Sequence, residues 1–143
     1  AGRRVVAVLS DMSQPLGKYV GNAHEVYECM LILRGEGDAL MQETLDLSID
    51  LTANMLVQCK IADSIKNAKL RIKNVMDSGE ALERFRHNIE LQGGDPKISD
   101  KPEKLLTKSL KEVAIIADSS GYLTEVDTFA VGRADGGSGH GSQ

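Results

Sequence analysis

The sequence predicts an α/β fold, and only part of one: a buried parallel-type strand, a layer of about four helices, then a β-hairpin. Three observations predict it. The run Val5-Val6-Ala7-Val8-Leu9 is continuously apolar, as in a strand covered on both faces of a parallel sheet. Four helical patterns follow without an intervening strand pattern. Near the end, alternation returns on both sides of the turn Asp118-Ser119-Ser120-Gly121. A buried-type strand that begins this close to Ala1, in a chain without an initiator Met, is expected of a fragment or processed product, with the rest of the subunit or another chain completing the sheet.

The loop after the first strand is the stretch around which the rest is organised. It leaves the carboxyl end of the strand, where ligands sit in open α/β sheets. Pro15 stiffens its entry, and Gly17 and Gly21 permit turns or close backbone approach. Asn22, with Glu25 three residues on, makes a capping-box-like start for a helix from Ala23 to Leu33. Taken as physics alone, the stretch reads either as a tight, well-capped connection or as a ligand loop. Two glycines do not decide between them. The cleft-loop candidates are Asp11, Met12, Gln14, Gly17, Gly21 and Asn22. Asp11 reads equally as an Asx-turn brace.

The first helix has Val26, Cys29, Met30 and Leu33 as its apolar stripe and Gly35 at its end. Asp38 caps a long helix from Ala39 to Gln58, apolar most of the way round and so expected to be the most buried; Asp46, Ser48, Asp50 and Thr52 are assigned to solvent ahead of a cleft. Asp63 or Ser64 starts a third helix with Ile65, Ala68, Ile72 and Val75 inward. Its cluster of Lys66, Lys69, Arg71 and Lys73 reads as a solvated face complemented by the acids of the next helix. That fourth helix, framed by Asp77 and Glu80, buries Leu82, Phe85 and Ile89 and stops at Gly93-Gly94. The stretch Asp95-Pro96-Lys97-Ile98-Ser99-Asp100-Lys101-Pro102 is a surface connection. Lys111 to Ala117 and Tyr122 to Val126 form the hairpin, Asp127 caps a short helix from Thr128 to Ala134, and residues 135–143 are a flexible Gly/Ser-rich tail beyond a domain of residues 1–134.

Composition excludes several functions. A net charge of -4 with 3% aromatic residues and no Trp supplies neither a basic face nor stacking platforms for nucleic acid. Cys29 and Cys59 lie in helical pattern without CxxC spacing or a nearby His pair, so they read as buried free thiols in a reducing cytoplasm, not as a disulfide or metal site. No run approaches the ~18 apolar residues of a membrane span, and Ala1-Gly2-Arg3-Arg4 precedes too short an apolar run for a signal peptide. His24, His87 and His140 have no nucleophile partner. There is no P-loop, GxGxxG motif or supported carboxylate pair, and no catalytic or metal-binding residue is assigned to this chain.

The loop also carries a specific resemblance. The run Ser10-Asp11-Met12-Ser13-Gln14-Pro15-Leu16-Gly17, followed by Val20-Gly21-Asn22-Ala23 and Glu25-Val26, resembles the segment TDMNQPLG…VGNALEV of the thymidine and pyrimidine-nucleoside phosphorylases. Further matches follow in order: Met55-Leu56, Ser78-Gly79, Ala81-Leu82, Phe85, Gln92-Gly93-Gly94-Asp95-Pro96, Gly121-Tyr122-Leu123 and Val126-Asp127. The resemblance runs from Val5 to Arg133 and covers the central segment of the family's α/β domain.

It implies reversible phosphorolysis by the intact subunit, a pentosyltransferase reaction. Inorganic phosphate is the co-substrate, attacking the anomeric carbon of a pyrimidine nucleoside to release the base and a pentose 1-phosphate. The groups that bind phosphate and base in the family lie upstream of the matched segment, so this chain would supply scaffold and one cleft wall and be inactive alone. The resemblance further implies a cytoplasmic homodimer without an organic cofactor. Some members bind a monovalent cation near the counterpart of Leu56 to Ala68, but Asn67 stands here where many carry Glu, and residues 135–141 depart from the family's LGxGR. The competing readings are a non-catalytic α/β scaffold or interaction module and, more distantly, phosphoribosyl transfer.

Overall fold

The computed structural model describes residues 2, 4–106 and 113–136, the last three by backbone alone, and among these it is helical without strands. Five α-helices follow one another: α1 (Asn22–Leu33), α2 (Gln42–Gln58), α3 (Ile65–Asp77), α4 (Glu80–Leu91) and α5 (Thr128–Gly136). Single 3₁₀ turns occur at Ala39–Met41, Pro96–Asp100 and Pro102–Leu105.

The α/β prediction is therefore corrected. Residues 5–9 are irregular and join no ladder; Val5 is 83% and Leu9 99% exposed. Of the predicted hairpin, Lys111 and Glu112 lie outside the described residues. The rest, residues 113–126, is likewise irregular, with Ile115 96% and Tyr122 99% exposed. The physical reason is that a strand is half of a pair. β-propensity records how well a side chain packs on a pleated surface, and neither run meets a partner backbone. A helix closes its hydrogen bonds within one segment, so four of the predicted helices form in place and α5 extends through Asp135 and Gly136, where the tail was expected to begin.

The ends of the helices follow from a few residues. α1 stops where Gly35, at φ +73°, lets Glu36 N–H reach Leu31 O at 2.9 Å, the left-handed glycine closure expected of it. Asp38 caps as predicted, accepting from Leu40 N–H at 2.9 Å, but the first turn is 3₁₀ and α2 proper begins at Gln42. Ser64 caps α3 through Asn67 N–H at 3.3 Å. α4 is capped by Gly79 in the left-handed region with no side-chain cap. At the start of α1 the N-cap is Gly21, not Asn22: Glu25 Oε1 reaches back to Gly21 N–H at 3.1 Å while Asn22 is already the first helical residue and exposed.

Packing is thin. Among the described residues, the buried apolar ones are Met30, Met41, Ala53, Ala68 and Pro102. α2 lies chiefly on α3 yet leaves Leu51 and Met55 exposed, so it is not the wholly buried helix its composition suggests. Two of the four basic residues of α3 find acids, and elsewhere than α4: Lys69 pairs with Asp50 of α2, and Lys73 with Asp77 of its own helix. Cys29 and Cys59 are free thiols, as expected, but both residues are exposed.

The predicted surface connection after α4 is largely exposed, but it docks through a buried residue. Ser99 is fully buried; its Oγ accepts from Arg86 Nε at 2.6 Å and donates to Pro96 O at 2.8 Å, while Arg34 Nη1 donates to Ser99 O at 2.8 Å. Arg86 also pairs with Glu83 and Asp100. Two arginines, one just past α1 and one in α4, thus hold the 3₁₀ turns against the helical layer.

Candidate functional site

The loop of residues 10–21 is held onto the helices by one carboxylate. Glu28 of α1 is only 3% exposed. Its Oε2 accepts from the backbone N–H groups of Lys18, at 3.0 Å, and Tyr19, at 2.9 Å, and its Oε1 accepts from Thr44 Oγ1 of α2 at 2.9 Å. A buried carboxylate must be hydrogen-bonded to be tolerated, and these three bonds tie loop, α1 and α2 at one point. Among the described residues, no buried side-chain polar atom lacks a partner.

Gly17 makes that point reachable. It lies at φ +77°, and a Cβ there would run into Glu28 Oε1 and Thr44 Oγ1. The following residues close the loop from outside. Lys18 Nζ bonds Asp38 Oδ2 at 2.6 Å, and Tyr19 meets Tyr27 edge-on with ring centroids 5.4 Å apart and lies nearly parallel to His24 at 6.2 Å. The bond to Asp38 raises the pKa of Lys18, and the bond from Lys18 lowers that of Asp38. Beneath the loop is a hollow of about 260 Å³, bounded by Pro15, Leu16, Tyr19, Glu28 and Thr44, with Thr128 of α5 at its edge. A larger apolar hollow, about 500 Å³, opens where α1–α4 converge; Ile49, Ile72, Val75 and Phe85 line it, with Ser48 and Thr52 on its α2 wall. Ser48 and Thr52 therefore face a cleft and not bulk solvent alone.

The six cleft-loop candidates separate. Gly17 and Gly21 are at positions that need glycine, φ +77° and +114°. Asp11 is turned onto its own loop: Oδ1 accepts from Ser13 N–H and Oδ2 from Ser13 Oγ, both at 2.9 Å, and the Ser13 backbone bond is the main cause of its lowered pKa. Met12, Gln14 and Asn22 are exposed. Sequence reasoning missed Glu28 and Thr44. No signal in the sequence marked them: Glu28 lies off the apolar stripe of Val26, Cys29, Met30 and Leu33, on the side of α1 where an acid is expected to face water.

Chemically this arrangement fixes a backbone; Glu28 has its oxygens committed to three donors. Among the described residues, no His, Cys, Asp and Glu group is arranged to hold a metal, and no helix is long and apolar enough to cross a membrane.

Comparison with known proteins gives the chain relatives. Over 133 residues, 93% of its length, it is 39% identical to a pyrimidine-nucleoside phosphorylase of Bacillus subtilis (strain 168). Over the same span it is 36% identical to the enzyme of that name from Staphylococcus aureus (strain bovine RF122 / ET3-1), and 35% to that of strain USA300. It is similar to a segment of the pyrimidine-nucleoside phosphorylases. The matched region spans only 30% of each relative's length. No family model matches the chain. The resemblance first carried by residues 10–26 thus extends, at this level of identity, across nearly the whole phosphorylase-like chain.

Substitutions separate the loop residues. Glu28→Gln turns an acceptor into a donor opposite other donors and is expected to cost about 1–3 kcal/mol, and Thr44→Val about 1 kcal/mol. Gly17→Ala meets both a steric clash and a left-handed backbone, so it costs more than Gly35→Ala, which meets open space and only the backbone penalty of about 1–2 kcal/mol. Asn22→Ala changes stability by no more than about 0.5 kcal/mol, because Gly21 is the cap. Urea unfolding midpoints of the five variants check the order.

The Lys18–Asp38 pair sets a pH window. Asp38, with its folded pKa depressed, stabilises above its ordinary 3.8 and loses that contribution as pH falls through the folded value. Lys18, with its folded pKa raised, stabilises below its ordinary 10.5 and loses that as pH rises through the folded value. Asp38→Asn keeps an oxygen for Leu40 N–H and removes the charge. The difference in urea midpoint between native chain and variant is expected to be largest between these limits, to vanish at the acid end and to shrink at the alkaline end, where Leu40 N–H still bonds the charged carboxylate; a pH-independent difference would contradict the assignment.

Proposed function

We propose that this chain is a segment of a pyrimidine-nucleoside phosphorylase subunit and that the loop of residues 10–21 forms one wall of its substrate cleft. The observation that carries the reading is identity of 35–39% over 93% of the chain to proteins named for that activity. In the intact protein, phosphate displaces the pyrimidine from the anomeric carbon, giving free base and pentose 1-phosphate, and the transition state needs cations and hydrogen-bond donors aimed at the phosphate and the departing base. This chain presents no such constellation in its loop. Its contribution is positional: a backbone held by Glu28, with Gly17 and Gly21 allowing close approach. The intact protein is proposed to be a cytoplasmic homodimer without an organic cofactor.

The chain alone is expected to release no uracil or thymine from uridine or thymidine plus phosphate. Grafted in place of the matched 133 residues of the Bacillus subtilis relative, it is expected to support phosphorolysis. Gly17→Ala in that chimera should lower kcat/KM by more than its loss of folded protein accounts for. A chimera that folds and assembles but leaves both nucleosides intact would overturn the reading, as would base release by the isolated chain.

A further inference from the structure

The turn joining α2 to α3 lies in the segment, Leu56 to Ala68, near whose counterpart some members of the resembled family bind a monovalent cation, and its residues do not suit one. A hollow of about 710 Å³ there is lined by Arg4, Lys60 and Arg71 together with Asp63, Asn67 and an apolar wall. Several oxygens of the turn already accept hydrogen bonds. Leu56 O accepts from the N–H groups of Ile61 and Ala62 at 2.9 and 3.2 Å, Val57 O from Lys60 N–H at 3.0 Å, and Ile61 O from Arg71 Nη1 at 3.4 Å. Asp63, the one carboxylate in the lining, has Oδ1 bound by Asn67 Nδ2 at 2.7 Å and Ser64 Oγ at 3.0 Å. A weakly held cation selects sites with several free oxygens; this hollow offers three positive side chains instead. Among the described residues, none of the three has a carboxylate partner in an ion pair.

We propose that this hollow is an anion site that takes a phosphate-type dianion, and that it does not hold a monovalent cation. Two guanidinium groups and an ammonium around one cavity match the charge and the multiple acceptors of such an anion. Asp63 opposes binding, but its bonded Oδ1 faces Asn67 and Ser64. The site does not depend on the phosphorolysis reading, because the phosphate-binding groups that the resemblance implies lie upstream of the matched segment.

The test is thermal unfolding of the full chain titrated with inorganic phosphate at constant ionic strength, and compared in potassium and tetramethylammonium chloride. A saturable rise in Tm with phosphate is expected, with no difference between the two chlorides. Lys60→Gly and Arg71→Gln should each weaken the apparent phosphate affinity by roughly tenfold. Lys60 has φ +59°, a conformation that glycine adopts freely, so Lys60→Gly should melt no lower than the native chain and its loss of response cannot be ascribed to unfolding. A native chain that does not respond to phosphate overturns the proposal. So does a response unchanged in Lys60→Gly, or a rise in Tm specific to potassium.

Discussion

The described structure depends on the burial of one carboxylate. Glu28 is nearly inaccessible, so its oxygens must be met by donors, and there are three of these: two consecutive N–H groups of the loop and the hydroxyl of Thr44. Because the donors are fixed in position, so is the loop. Gly17 has to lie where a side chain cannot, and Lys18 is placed to reach Asp38 just ahead of α2. Helix packing alone would leave this connection free to move, since few of its own side chains are buried; a hydrogen-bonded charge holds it with no hydrophobic core of its own. The cluster at Ser99 does the same at the other end of α1, where Arg34 and Arg86 grip the chain after α4.

These two polar anchors matter because apolar burial is sparse. Few apolar residues are buried among the described residues, while the convergence of α1–α4 leaves an open apolar hollow and residues 5–9 and 113–116 expose large side chains. The pairing of this exposed apolar surface with a well-fixed loop agrees with a chain that matches 30% of the length of its relatives: the loop is shaped locally, whereas the cleft it is proposed to line needs more than this segment.

Much of this was legible in the sequence, in proportion to how local each feature is. The four helices after the loop, the glycine closure at Gly35 and the caps at Asp38 and Ser64 each depend on residues within a turn or so of one another, and each is found where the pattern put it. The cap of α1 was misplaced by one residue because Asn22 and Glu25 satisfy the capping pattern in composition, while the backbone at Gly21, at φ +114°, takes the position instead. The three predicted strands failed for a non-local reason: the side chains of residues 5–9, 113–117 and 122–126 suit a sheet, but residues 5–9 meet no second backbone and a lone hairpin is marginal without a third strand or a helix to pack on.

What the sequence by itself determined is therefore the local grammar of the chain, its helical segments and turns, and the loop signature that led to the phosphorylases, because each of these rests on residues near in sequence. Only the tertiary structure decided that Glu28 is the residue on which the loop hangs, that Ser99 is buried between two arginines, and that Arg4, Lys60 and Arg71 share one hollow. Those facts join residues 9 or 10, 65, and up to 67 positions apart. A carboxylate in a helix reads as solvent-facing until the packing of other segments shows that water is excluded from it and that backbone donors have taken the water's place.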